Sequence, residues 1–317
     1  MNETDKLAGW IGGARQHTLR NPISCTGVGL HTGLKVNMRL VPAPADHGIR
    51  FRRLDVRERV NEIAARYDQV TDCVLSTTIG NEAGVKVSTI EHLMAALAGT
   101  EIDNVVVELD APEVPIMDGS SQPFVFLIEC AGRQEQAAQR KRIRVLKPIE
   151  VEDGRGSCTL VPSRGYSISI EIDFESPAVT LRDGFFDLSN GAFKREIARA
   201  RTFGFERDIR KLWQLGLARG GSLDNAVVVG VDHVLMNDGG LRYADEFVRH
   251  KVLDAVGDLY LAGAPLLAHF EGERSGHALN NALLRALFAN PNAWSTTSTL
   301  PEPTYAKPAH HAAPAIA

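Results

Sequence analysis

The stretch 245–261, DEFVRHKVLDAVGDLYL, decides how the rest of the chain is read. At about 100° per residue, Val248, Val252, Leu253, Val256 and Leu259 line up as an apolar stripe on one side of a helix. His250, Asp254 and Asp258 recur at i, i+4 and i+8 on another side, with Lys251 beside them. A solvated face carrying a His–Asp pair would account for that polar stripe. The same spacing also points an imidazole and a carboxylate at one ion, as in helix-borne zinc sites. Two ligands of this kind need a third from elsewhere, which would leave one position open for water.

A shorter helix is predicted over 88–97. Its opening, Ser88-Thr89-Ile90-Glu91-His92, has the S-x-x-E spacing of a capping box, which gives Glu91 a purely structural role. His92, next to it, offers the third imidazole. The turn Arg274-Ser275-Gly276-His277 presents another histidine before a helix over 278–288. Alternation of Val36, Met38 and Leu40 predicts a half-buried strand over 35–40, and a valine-rich strand follows at 104–109. The glycines of GVGLHTG, 27–33, suggest a loose dinucleotide fingerprint, but a strand follows where that fingerprint requires a helix. A tight turn or hairpin is the expectation. Neither a P-loop nor a G-x-S-x-G elbow occurs.

Composition bounds the class. The chain has 317 residues, 44% hydrophobic and 23% charged, which suits a globular protein of about two domains. Its net charge of −4 argues against nucleic acid as a partner. No run reaches the roughly 18 to 20 apolar residues of a membrane span. Residues 1–15 contain Glu3 and Asp5 and lack an apolar signal core, so a cytoplasmic location is expected. The four cysteines are at least 28 positions apart, which fits reduced thiols and no thiolate zinc site. Residues 1–14 read as a flexible lead-in, 15–131 as a first domain, the polar segment 132–141 as a linker and 142–290 as a second domain. The segment 291–317 holds five of the fifteen prolines and reads as a disordered tail.

Taken in order, STIEHLMAALAG (88–99), DAPEVPIMDGS (110–120), ARARTFGF (198–205), GGSLDNAVV (220–228), EFVRHKVLDAVGDL (246–259) and SGHALNN (275–281) closely resemble the UDP-3-O-acyl-N-acetylglucosamine deacetylases. These are zinc enzymes of lipid A biosynthesis in Gram-negative bacteria. The likeness runs from about residue 15 to 289. It implies an α+β fold of two similar layered β-α-α-β domains, helices packed between outer sheets, with the active site at the junction. It also implies one Zn²⁺ per chain, or Fe²⁺ in the cell, held by His92, His250 and Asp254. In that reading Glu91 is the general base, and His277 the general acid with Asp258 as its partner. Thr202 then helps to hold the tetrahedral oxyanion.

Lys251, Phe203 and, more loosely, Phe174 match substrate contacts. Arg274 stands where relatives often carry lysine before SGH. Gly156 occupies an aligned basic position with Arg155 beside it, so that role is not carried over. An acyl passage is expected at 205–229, where Ile209, Leu212 and Trp213 share one helix face; on the residues alone, that face would simply pack on the core. The expected partner is the UDP-linked acyl sugar, taken by a monomer with at most transient contact with the inner membrane. A non-catalytic binder of UDP-sugar lipids would not require Glu91, His277 and three ligands together. A nucleotide-dependent oxidoreductase would require a helix after GVGLHTG.

Overall fold

A computed structural model describes residues 14–57 and 60–298; most of the lead-in and the chain beyond residue 298 lie outside the described residues. The architecture is α+β. Ile23–Val28 and Lys35–Pro42 form the hairpin expected at GVGLHTG. Gly33 turns it at φ +67°, in the left-handed region that glycine enters without steric cost, and its N–H donates to the Gly29 carbonyl at 3.0 Å. Val105–Leu109 pairs antiparallel with Lys35–Pro42, and Ile49–Arg53 and Glu62–Ala64 complete a five-stranded sheet. Val36, Met38 and Leu40 all point into its core.

A second sheet is built from residues after 141. Leu266–Glu273 is its centre, pairing parallel with Arg142–Val145 and with Tyr166–Glu171 and antiparallel with Ser157–Pro162. Among the described residues five α-helices accompany the sheets: α1 (Glu91–Gly99), α2 (Gln122–Ala131), α3 (Glu206–Gln214), α4 (Glu246–Leu259) and α5 (His277–Ala289). Helix α1 packs on α2 and α4, and α4 packs on α5 and on the strand Tyr166–Glu171.

Two expectations are corrected. The segment read as a linker contains the strand Arg133–Gln139, paired antiparallel with Arg15–Leu19. Its sequence, RQEQAAQ, carries no apolar period because polar partners hold it in place. The Gln136 side chain accepts from Asn104 at 2.8 Å and donates to the Ala43 carbonyl at 2.9 Å. Residues 291–298 are likewise ordered: Trp294–Thr297 is an edge strand on Arg142–Val145, and the Trp294 ring stacks edge-on against Phe288 at 5.0 Å. Proline-rich composition further along the chain conceals this four-residue strand. A chain ended at Asn290 is therefore expected to melt several degrees below one ended at Ser298, as read by calorimetry.

The helix read as amphipathic is enclosed on every side. In α4 the stripe of Val248, Val252, Leu253, Val256 and Leu259 is buried, and so are His250, Asp254 and Asp258. Helices α1 and α4 meet at Gly257. A Cβ there would lie 2.0 Å from the Glu91 carbonyl oxygen, so only glycine allows this approach. Gly257→Ala is expected to cost about 1–3 kcal/mol in denaturant unfolding and to lower activity by shifting Glu91.

Candidate active site

The start of α1 and the middle of α4 bring His92, His250 and Asp254 together. Their donor atoms all lie within 4.8 Å of one another. Nε2 of His250 and Nε2 of His92 sit 3.4 and 3.7 Å from the same oxygen, Oδ1 of Asp254. The other nitrogen of His250, Nδ1, lies 3.1 Å from the Ala200 carbonyl. A carbonyl can only accept, so Nδ1 carries the proton and the Nε2 lone pair faces the cluster. Burial pushes the His250 pKa down to about 4 despite the Asp254 carboxylate, which keeps the ring neutral. Burial opposes ionisation of Asp254, but Lys251, at 3.0 Å from Oδ2, and His250 hold its pKa well below the usual carboxylate range. Two imidazoles and one carboxylate, converging and buried, fit a divalent metal with an open fourth position.

Beside this cluster lie Glu91 and His277. Glu91 is 3% exposed, and its Oε2 accepts the Thr77 backbone N–H at 3.0 Å. No capping box forms. Helix α1 begins at Glu91 itself, no side chain caps it, and the Ser88 N–H donates to the Pro112 carbonyl instead. The turn before α1 bends through Thr89 at φ 56°, held by its hydroxyl donating to Glu113 at 2.9 Å. Burial raises the Glu91 pKa, with His277 and His92 pulling the other way.

His277 is the first residue of α5, and its Nδ1 donates to Oδ2 of Asp258 at 2.8 Å. Burial alone would lower its pKa, but the Asp258 contact and the Glu91 charge raise it to about 9. Asp258 also accepts from the Thr77 hydroxyl at 2.6 Å and from Asn280 Nδ2 at 2.9 Å. Thr77 and Asn280 were not among the expected residues. Asn280 lies one helical turn past His277, so i, i+3 spacing could have flagged it. Thr77 arrives from the loop 73–77, which has no period to read.

The remaining expected residues divide in two. Thr202 and Phe203 follow Ala200, whose carbonyl orients His250; the Phe203 ring is 6.0 Å from the His250 ring. Phe174 packs edge-on to Phe203 at 5.2 Å, so an aromatic cluster adjoins the metal-type residues. Lys251 pairs with Asp254, its ammonium favoured over the opposing effect of burial. Arg274 instead sits on the surface, paired with its neighbour Glu273 at 2.7 Å. Ile209 and Leu212 lie on α3, which buries none of its residues. Trp213 on the same helix is 58% exposed, so this face does not pack on the core.

A family model for UDP-3-O-acyl N-acetylglycosamine deacetylase matches residues 16–289, a span that contains every one of these residues. The chain belongs to that family. It is 54% identical over 282 residues to the UDP-3-O-acyl-N-acetylglucosamine deacetylase of Idiomarina loihiensis, covering 88% of this chain and 92% of the relative. It is 51% identical over 305 residues to the enzyme of that name from Chromohalobacter salexigens, covering 96% and 99%. The Acidithiobacillus ferrooxidans enzyme is 52% identical over 282 residues, covering 88% and 92%. The family is one of metal-dependent deacetylases, hydrolases acting on an amide. Among the described residues no helix is long and apolar enough to cross a membrane.

Proposed function

We propose that the chain hydrolyses the acetamide of UDP-3-O-(3-hydroxyacyl)-N-acetylglucosamine to acetate and the free 2-amino sugar nucleotide, the committed step of lipid A biosynthesis. The observation that carries the reading is the apposition of a buried carboxylate, Glu91, and a part-buried imidazolium, His277, beside the cluster of His92, His250 and Asp254. His92, His250 and Asp254 would hold the metal, zinc or ferrous iron, one per chain. The chemistry such an ion supplies when bound is Lewis-acid polarisation of the amide carbonyl and of the attacking water.

Glu91 takes a proton from water as its oxygen bonds to the carbonyl carbon. Negative charge grows on the former carbonyl oxygen, which the Thr202 hydroxyl would help to stabilise, while Lys251 would contact the substrate. His277 delivers its Nε2 proton to the amide nitrogen, the C–N bond breaks, and acetate and the amine separate. Asp258 holds the imidazolium through Nδ1, and Thr77 and Asn280 hold Asp258. No Ser or Cys nucleophile is needed. Phe174 and Phe203 offer apolar faces for the uridine end of the substrate. The half-exposed apolar side of α3, with Ile209 and Leu212, suits the acyl chain. Arg274, drawn from Glu273, would contact the diphosphate. We place the reaction in the cytoplasm, carried out by a monomer that touches the inner membrane only transiently.

The test is acetate release from that substrate with and without a chelator. Activity is expected to vanish on chelation and to return with zinc. Elemental analysis of His250→Ala and Asp254→Ala is expected to show loss of the bound metal; full occupancy in both variants would remove the proposed ligand set.

A further inference from the structure

A cavity of about 1190 Å³ lies away from the metal-type cluster, at the far end of α1 and beside the last turns of α4. Its walls come from Ala98–Glu101 at the end of α1, from Val256 and Leu259 on α4, and from Tyr166 and Leu266 of the second sheet. Along α1, His92 and Ala98 are separated by about 9 Å of helix. Six cations line the cavity: Arg133, Arg140, Arg142, Arg164, Lys194 and Arg195. Only two carboxylates, Glu101 and Glu129, stand among them, in a chain whose net charge is −4.

Several of these cations are already held. Arg140 pairs with Glu101 and Asp103, Arg133 with Glu101, and Lys194 with Glu129. Arg142 is different. It is 7% exposed, and among the described residues it makes no ion pair and its Nη1 is buried without a partner. Burial, and next the charge of Arg140, disfavour its ionised form. The Tyr166 hydroxyl on the cavity wall is also buried and unpartnered. Glu101 and Asp103 act the other way on Arg142 without bonding it, and a buried guanidinium N–H left without an acceptor is destabilising.

We infer that this cavity is a second binding site, for a phosphate-type oxyanion held by Arg142 and Tyr166 and ringed by the other cations. A guanidinium and a hydroxyl both donate to such oxygens, and the surplus positive charge suits a dianion better than a carboxylate. The rim also touches the catalytic helices. The Phe193 ring seats on Gly99, where a Cβ would lie 2.0 Å from it, and Phe193 begins the π-helical turn Phe193–Ile197 that carries Lys194 and Arg195. An anion bound here therefore bears on α1 at the end remote from Glu91, and on α4 beside Gly257 and Asp258. The phosphate can belong to a free small molecule or to a lipid headgroup.

Isothermal titration of the full-length, metal-loaded protein separates these cases. The probes are inorganic phosphate, fructose 1,6-bisphosphate, and phosphatidylcholine vesicles with and without phosphatidic acid. Binding of at least one phosphate probe is expected, weakened about thirtyfold or more in Arg142→Met, with basal kcat unchanged. Response to the soluble probes assigns a free ligand, and response to the phosphatidic acid vesicles alone assigns a headgroup. Should Arg142→Met fail to fold, the exposed rim double variant Lys194→Gln/Arg195→Gln is expected to weaken the same binding. No binding by any probe overturns the inference, and so does binding that either folded variant leaves unchanged.

Discussion

Glu91→Gln is expected to lower kcat by about 10²-fold or more while the protein unfolds within about 1 kcal/mol of the parent. The structure separates the two outcomes because the glutamate serves no helix cap. Its one backbone partner is the Thr77 N–H, and a glutamine carbonyl oxygen can accept that bond equally well. What glutamine cannot do is take a proton from water. Bound metal, measured by elemental analysis, is expected to stay at the parent level, since His92, His250 and Asp254 are untouched. A variant that is strongly destabilised yet fully active per folded molecule would return Glu91 to a structural role.

A bell-shaped pH profile of kcat/KM is the second large effect, with its basic limb near pH 9. The sign follows from which form works. Glu91 must be ionised to act as base, and burial raises its pKa, so activity rises with pH through a limb above the ordinary carboxylate range. His277 must be protonated to act as acid, and Asp258 outweighs burial to hold it at about 9, so activity falls as pH passes that value. Asp258→Asn removes the charge that keeps the proton on. The basic limb is then expected to move down by at least about one pH unit. His277→Ala is expected to abolish the basic limb, leave the acidic one, and lower kcat by about 10²-fold or more. Apparent values belong to the coupled set of groups, so the shift between variants is the deciding readout. A basic limb that stays in place in both variants would rule out His277 as the acid.

Much of this site could be read directly from the chain, for a local reason. His250, Asp254 and Asp258 lie on one helix, where i, i+4 spacing sets the geometry whatever packs around it. The motif order identified the family, and with it the third ligand and the histidine of SGH. The hairpin at 27–33 was legible for the same reason, since glycine conformation and strand alternation act over a few residues. Local chemistry also misled. Ser88 and Glu91 have capping-box spacing, but Thr89 enters the left-handed region between them and the helix starts too late for the box to close. The polar strand Arg133–Gln139 and the short edge strand Trp294–Thr297 owe their order to partners distant in sequence.

The sequence by itself determined the family, the amphipathic pattern of α4, and which residues are proposed to hold the metal and to move protons. Only the tertiary structure decided that the polar stripe of α4 is buried rather than solvated, because α1 closes over it at Gly257. Tertiary packing also brought Thr77 across 181 residues to Asp258, the carboxylate that holds the proton on His277. The six-cation cavity is likewise a product of packing. Its arginines and lysine are scattered over residues 133–195 and share no spacing that a chain could display. Periodicity reports which side chains share a face of one element. Burial, and the pKa values that burial sets, depend on which elements meet, and long-range packing alone fixes that.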